Sequence, residues 1–267
     1  MAKFDFQHVA SQYDDIHVHS PEVSQSIGAY LVRRVGAGRR ILEIGIGTGR
    51  IARPVLDHGC EVVGFDISHG MLAVAQKRQI HNLLIADMMT LPFVDASFDA
   101  TLAVHVLHHA PDWRVALRES VRVLKPGGLF IEGRDWNDPS SCAMRMRHKM
   151  REVIMQLSPG IRPPGAGAAK QQFLAELGGI SHPEEVATSW QAVTSPAEVL
   201  AGMYARNDSE TWAIDSELLN ATLARVDEWA RSEWPDFETP VPFERRFMVG
   251  ITEIHHPSAQ PEQALAV

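Results

Sequence analysis

The chain predicts an α/β domain in which a mostly parallel sheet carries helices on both faces. Three observations support this. Short segments that are apolar on both sides, at residues 41–44, 62–65 and 100–104, alternate with stretches of helical periodicity. The first of them runs into three alternating glycines, Gly45, Gly47 and Gly49, and the second ends on a lone acid, Asp66. In parallel sheets of this kind ligands bind beyond the carboxyl ends of the strands, where Gly45, Asp66, Asp87, His105 and Arg134 all fall.

The elements follow in order. Ser20-Pro21 is a helix start, and Val23, Ile27, Leu31 and Val35 recur at helical spacing, giving a helix over 21–35. Strand one is expected at 39–44, a helix from 48 until Gly59, and strand two at 61–66. A helix capped by Ser68 then turns Met71, Leu72 and Ala75 inward. Strand three is placed at 82–86 and strand four at 100–104. Asp112 caps a helix whose Trp113, Leu117, Val121 and Leu124 share one face. Lys125-Pro126-Gly127-Gly128 breaks that helix ahead of strand five at 129–132.

After Trp136 the pattern changes. Cys142, Met146, Met150, Val153 and Leu157 mark an amphipathic helix, residues 159–167 form a Pro/Gly-rich connector, and a helix through Phe173 stops at Gly178-Gly179. A strand near 185–193, helices near 196–206 and 216–232, and a last strand near 243–253 complete the reading. The tail from Pro257 reads as frayed.

At 267 residues, 45% hydrophobic and 22% charged, the chain is large enough for a substantial core in one domain. A formal net charge of -8 argues against nucleic-acid partners, which need a basic surface. Cys60 and Cys142 have neither disulfide-framework nor metal-site spacing, and no run of about 18 apolar residues or basic-start leader is present. A soluble cytoplasmic protein without membrane contact is expected. Oligomeric state is not encoded in any recognisable way.

Glycine lacks Cβ, so a turn such as 45–49 lets backbone approach a bound molecule closely, and a carboxylate 21 positions after Gly45 can accept from a ribose diol. A nucleoside-containing cofactor follows. The dinucleotide fingerprint is G-x-G-x-x-G, whereas these glycines fall as G-x-G-x-G with Arg50 in the third glycine's place. That spacing weakens the dinucleotide reading.

The run Glu43-x-Gly45-x-Gly47-x-Gly49 resembles the glycine loop of the class I S-adenosylmethionine-dependent methyltransferases. Val62 through Ser68, Ala86-Asp87-Met88, Leu91-Pro92-Phe93 with Ser97-Phe98-Asp99, and Arg122 through Gly128 follow in the same order. Together they are similar to the small-molecule branch that includes the ubiquinone and menaquinone methyltransferases, over residues 37–136. The resemblance implies a Rossmann-like, seven-stranded, mostly parallel sheet with the last strand inserted antiparallel. It also implies a single methyltransferase domain: an N-terminal helical segment at 1–36, a cofactor core at 37–136, and helical insertions at 137–182 and 195–240 that cover the carboxyl end of the strands. The cofactor would be S-adenosylmethionine, its methyl passing by in-line displacement to an O, N or C atom of a small-molecule acceptor. A nicotinamide-dependent oxidoreductase and a non-catalytic S-adenosylmethionine-binding protein are the competing readings.

The same resemblance assigns residues. Glu43, Gly45, Gly47 and Gly49 would meet the methionyl end, and Asp66 the ribose, with Ile67 and Met71 beside it. Asp87 and Met88 would read the adenine, and Tyr13, in a Phe6-Ala10-Tyr13-Asp14 pattern, would close over the cofactor. Tight-turn glycines, a capping Asp66, a turn-forming Asp87 and a packed Tyr13 are the plainer alternatives. His105, His108 and His109 cluster after strand four. His105 or His108 is the candidate base, His105 also reaching the cofactor, while pocket lining or helix capping would need no catalysis. Three histidines on one face suggest a metal only if a carboxylate joins them, and none is recognisable, so no metal is assigned. His109, Arg134, Trp136 and Tyr204 are candidates for the acceptor pocket, and the basic face of the helix from Cys142 either draws an anionic acceptor or is simply solvated.

Overall fold

A computed structural model describes Asp14 and residues 19–160, 167–207, 209–212 and 214–255. Helix α1 (Pro21–Val35) starts where Ser20 accepts from the Val23 amide and ends at Gly36. Strand β1 (Arg40–Ile44), α2 (Ala52–Asp57), β2 (Glu61–Asp66), α3 (His69–Lys77) and β3 (Leu83–Ile85) follow. Then come β4 (Phe98–Val104), a 3₁₀ turn (Leu107–His109), α4 (Trp113–Arg122) and β5 (Leu124–Asn137). Ser68 and Asp112 cap α3 and α4 through their side chains, as expected. Helix α2 begins at Ala52 rather than 48 because Pro54 has no N–H to give the preceding turn. The Lys125–Gly128 segment does not precede β5 but bulges from it: Phe98 pairs with Leu124, and Ala100 already with Leu129.

The remaining elements are α5 (Cys142–Leu157), α6 (Gly167–Glu176), β6 (Gly179–Ser181), β7 (Glu185–Thr194), α7 (Pro196–Tyr204), α8 (Ser209–Trp212), α9 (Ser216–Glu233) and β8 (Val241–Ile254). Strand order is β3-β2-β1-β4-β5-β8, with β6 and β7 both pairing the far side of β8. Among the described residues the sheet is therefore seven positions wide but has eight strands, since β6 and β7 share the edge position. Only β8 runs against the others, as its antiparallel pairing with β5, β6 and β7 shows.

Strands β1, β2, β4 and β5 bury both faces, while β3 at the edge is only partly covered. Ile41, Val62, Leu102 and Ile131 pack with Ile27, Leu31, Val55 and Leu72 from α1, α2 and α3. Leu42, Phe65, Ala103 and Phe130 pack with Leu117 and Val121 of α4 and Leu174 of α6. A third core is separate: Met146, Met150, Leu200, Met203, Leu219, Leu223 and Val226 join α5, α7 and α9. Helix α5 leaves the end of β5, α7 leaves the end of β7, and α9 leads into the start of β8. All three therefore attach at the carboxyl edge of the parallel strands. Helix α6, inside the 137–182 segment expected to cover that edge, instead lies in the flanking layer, with Phe173 edge-on to Trp113 at 5.7 Å. Among the described residues no helix is long and apolar enough to cross a membrane. Cys60 and Cys142 are free and buried.

Candidate active site

Strand order reverses between β1 and β4: the chain moves from β1 outward to β2 and β3, then returns to the other side of β1. This is the topological switch point, where loops part and leave a crevice. The glycine bend after β1 and the turn after β4 form its two walls. A pocket at this place is lined by Glu43, Gly45, Gly47, Thr48, Arg50 and Val104.

Gly47 has φ +56°, and a Cβ built there would meet no atom within 4 Å. Its backbone thus opens directly onto the crevice in a conformation that side chains disfavour. Gly45 and Gly49 serve packing instead, since a Cβ at either would stand 2.2 Å from Val106 or Ile80. Asp66 ties the bend to β2, its two oxygens accepting from the Gly47 and Ser68 amides at 2.9 and 2.8 Å. Burial raises its carboxyl against the pull of those amides. Asp14 reaches the same bend from the N-terminal segment, accepting from Thr48 Oγ1 at 2.6 Å and pairing with Arg78. Tyr13 lies outside the described residues.

Glu43 is buried, and its Oε2 has no hydrogen-bond partner among the described residues. Desolvation pushes its carboxyl up to about 8, with Asp66 adding to the rise and Arg50 opposing it. A buried acid without a partner beside an open glycine backbone is suited to a cationic amine.

Around the crevice the other assignments divide. Ile67 is 55% exposed, in the manner of an apolar residue awaiting a partner, whereas Met71 is buried on the inner side of α3 and presents almost no surface. Asp87 makes a turn, accepting from the Met89 amide at 2.9 Å, and Met88 packs at the edge of the second core.

The turn after β4 holds one of the left-handed non-glycine residues among the described residues. His105 has φ +51°, a left-handed conformation that costs a non-glycine residue about 1 kcal/mol or more. Its Nε2 lies 3.0 Å from Asp135 Oδ2, at the end of β5. The other oxygen of Asp135 accepts from His19 Nε2 at 2.8 Å, and His19 in turn takes Arg50 Nη1 at 3.2 Å on Nδ1. Arg50 and Arg245 stand 3.9 and 3.7 Å from the carboxylate. Burial alone would raise Asp135, but hydrogen bonds from His105 and His19 and the charge of Arg50 hold it well below the usual carboxylate range. His19, Arg50, Asp135 and Arg245 thus form a charged cluster beside the crevice, joining residues far apart in the sequence.

His108 and His109 stack on each other with ring centroids 3.9 Å apart. Both reach solvent, yet desolvation lowers the pKa of each, with His105 adding to the fall at His108 and both neighbouring histidines adding to it at His109, which drops to about 4. His108 also senses Lys170, Glu132 and Glu210, the last of these from α8, so it sits between the sheet and the helices beyond it. Among the described residues no group of His, Cys, Asp and Glu is arranged to hold a metal ion.

Two acceptor assignments, Arg134 and Trp136, change. Arg134 points away from the crevice and pairs with Glu184 on the surface, because successive β5 residues alternate faces and Asp135 takes the inward one. Trp136 has one ring face covered by Arg246 at 4.5 Å, so that face is already occupied by a cation. Tyr204, at the end of α7, is 48% exposed. The basic face of α5 is not a free anion site either: Arg145 pairs with Glu233, Lys149 with Glu152, and Arg147 and Arg151 with Glu210. The Arg145, Arg147 and Arg151 pairs join α5 to α9 and α8, while Lys149–Glu152 lies within α5.

Comparison with known proteins settles the family. A family model described as a methyltransferase domain matches residues 42–131. A demethylmenaquinone methyltransferase of Renibacterium salmoninarum is 37% identical over 160 residues, covering 58% of this chain and 66% of that protein. The O-methyltransferase resE of Aspergillus sclerotiorum is 30% identical over 180 residues, 63% and 64% of the two chains. This chain belongs to the class I S-adenosylmethionine-dependent methyltransferases. Its cofactor is S-adenosylmethionine. A solved putative methyltransferase of Bacillus halodurans shares the fold, with TM-score 0.56 and 16% identity over 85% of this chain and 98% of that one. The chain spans about half to two thirds of the length of the first curated relatives it matches. The partnerless acid at Glu43 suits the cofactor's amine, the glycine bend around Gly47 leaves room for its amino-acid end, and Asp66 offers acceptor oxygens of the kind a ribose diol binds.

Proposed function

We propose that this cytoplasmic protein methylates an O, N or C atom of a small molecule held between the crevice and α5, α7 and α9. The observation that carries the reading is the unpartnered, buried Glu43 beside the open Gly47 backbone, at the switch point of a methyltransferase sheet. When bound, S-adenosylmethionine supplies an electrophilic methyl group on a sulfonium. Glu43 and the 45–49 backbone hold the amino-acid end, Asp66 holds the ribose, and Ile67, Asp87 and Met88 frame the adenine. His105 takes a proton from an O–H or N–H acceptor, with His108 and His109 lining the approach as neutral groups. The helical cover excludes water, so that alignment and a dry pocket supply most of the acceleration.

Named relatives that methylate a quinone precursor or an oxygen support a small organic acceptor, and the glycine spacing disfavours a nicotinamide cofactor. The test incubates the protein with cell extract and deuteromethyl-labelled S-adenosylmethionine, followed by mass spectrometry. A labelled small molecule supports the proposal. Cofactor binding with no labelled product would leave a non-catalytic binder, and NAD binding in its place would reverse the cofactor assignment.

Glu43 adds a proton-linked expectation. Its folded pKa, about 8, stands above the ordinary 4.5, so the neutral acid's advantage is full below pH 4.5 and lost as pH climbs through 8. Stability of the ligand-free protein should therefore decline over that interval. An ammonium placed beside Glu43 favours its ionised form, so binding S-adenosylhomocysteine near pH 7 should release roughly one proton. Calorimetry in buffers of different ionisation enthalpy measures this directly, and Glu43→Gln should remove the buffer dependence.

A further inference from the structure

We propose that Asp135 is the positioning residue of the site: it fixes His105 in the tautomer protonated on Nε2 and so leaves Nδ1 as the proton-accepting nitrogen. The inference rests on the reading of His105 as proton acceptor. His105 Nε2 faces two groups, Asp135 Oδ2 at 3.0 Å and the Asp135 amide nitrogen at 3.2 Å. One nitrogen cannot donate to the first and accept from the second. The carboxylate decides, because an ionised oxygen repels a lone pair at this distance and binds an N–H more strongly than a neutral amide binds a lone pair.

The rest of the cluster is built to keep that carboxylate ionised and aimed. His19 Nε2 donates to Oδ1 at 2.8 Å, and its own tautomer is set by Arg50 Nη1 at Nδ1, 3.2 Å away. Arg50 and Arg245 supply positive charge at 3.9 and 3.7 Å. His19 is held edge-on between Trp190 and Phe247, at 5.4 and 5.8 Å, so it cannot swing away. The side chain of His105, in contrast, is 34% exposed. With Nε2 committed to Asp135, Nδ1 is the nitrogen an acceptor can reach. A proton leaving an acceptor O–H or N–H goes to Nδ1, the electrons of the broken bond stay on the acceptor atom, and the imidazolium formed is stabilised by Asp135. The His19 arm also ties the segment before α1 to this chemistry.

The test is a two-bond ¹H–¹⁵N spectrum of the full-length protein with labelled histidine, His105 being assigned from the signal lost in His105→Gln. Wild type should show a protonated Nε2 and an unprotonated Nδ1. Asp135→Asn, whose amide can donate to Nε2, should reverse the two, as an altered acceptor does in hydrolase triads. Asp135→Glu should restore the wild-type pattern. A wild-type His105 protonated on Nδ1, or a pattern unchanged in Asp135→Asn, overturns the proposal. The wild-type spectrum decides alone if that variant does not fold. S-adenosylhomocysteine titrated into the same sample separates the two claims: binding with the wrong tautomer sinks only this inference, while the right tautomer without binding sinks the methyltransferase reading.

Discussion

Replacing Asp66 with alanine is expected to lower affinity for S-adenosylhomocysteine by about 100-fold or more, measured by calorimetry. Two hydrogen bonds from a ribose diol to an ionised carboxylate are worth about 3 kcal/mol together at the low end, and that figure corresponds to a factor of ~150. The substitution reaches further than the ligand. Asp66 also accepts from the Gly47 and Ser68 amides, so alanine frees the bend that forms the cradle and removes about 1–3 kcal/mol of stability. Asp66→Asn separates these effects, since one carbonyl oxygen can still hold an amide while the charge facing the sugar is gone. Unchanged affinity in both variants would show that the ribose is held elsewhere.

The parts of this site that could be read from sequence are the local ones. Gly45, Gly47, Gly49 and Asp66 announce themselves because a bend between β1 and α2 and the end of β2 lie within some twenty positions, and each obeys its own short-range chemistry. The same holds for the fold: Ser20-Pro21 fixes the start of α1, and Gly59 and Asp66 bracket β2 at the expected limits. Strand β6 escaped because its three residues, Gly179 to Ser181, carry no apolar alternation, and they become a strand only by pairing with β8. Strand β5 extends past its expected end because β8 pairs with it as far as Asn137.

Long-range charge was less legible still. Asp135 meets His19 across 116 positions, and the partners of Arg151 and Arg145 lie 59 and 88 positions away. A basic helix face and a histidine ahead of a helix look the same whether solvated or paired. Only the placement of β8 and the cover distinguishes them.

Phe247→Ala tests that placement. Phe247 is fully buried on β8, pairs in register with Asp135, and walls one side of the His19 ring. Its ring occupies the space left by Gly133, where a Cβ would lie 2.7 Å from Phe247 Cζ. A cavity under β5 and β8 has little freedom to collapse, because the backbones on both sides are fixed by the ladder. The expected cost is about 3–5 kcal/mol, a fall in melting temperature on the order of 10 °C. Binding of S-adenosylhomocysteine should persist at temperatures where the variant is folded, since the glycine bend and Asp66 are held by β1 and β2, on the other side of β4. Phe247→Leu should recover most of the stability. It should not recover the edge contact to His19, so its His105 signals should report a looser grip by Asp135. A loss below about 1 kcal/mol in the alanine variant would mean that β8 does not close the sheet against β5, and the cluster around Asp135 would lose its physical basis.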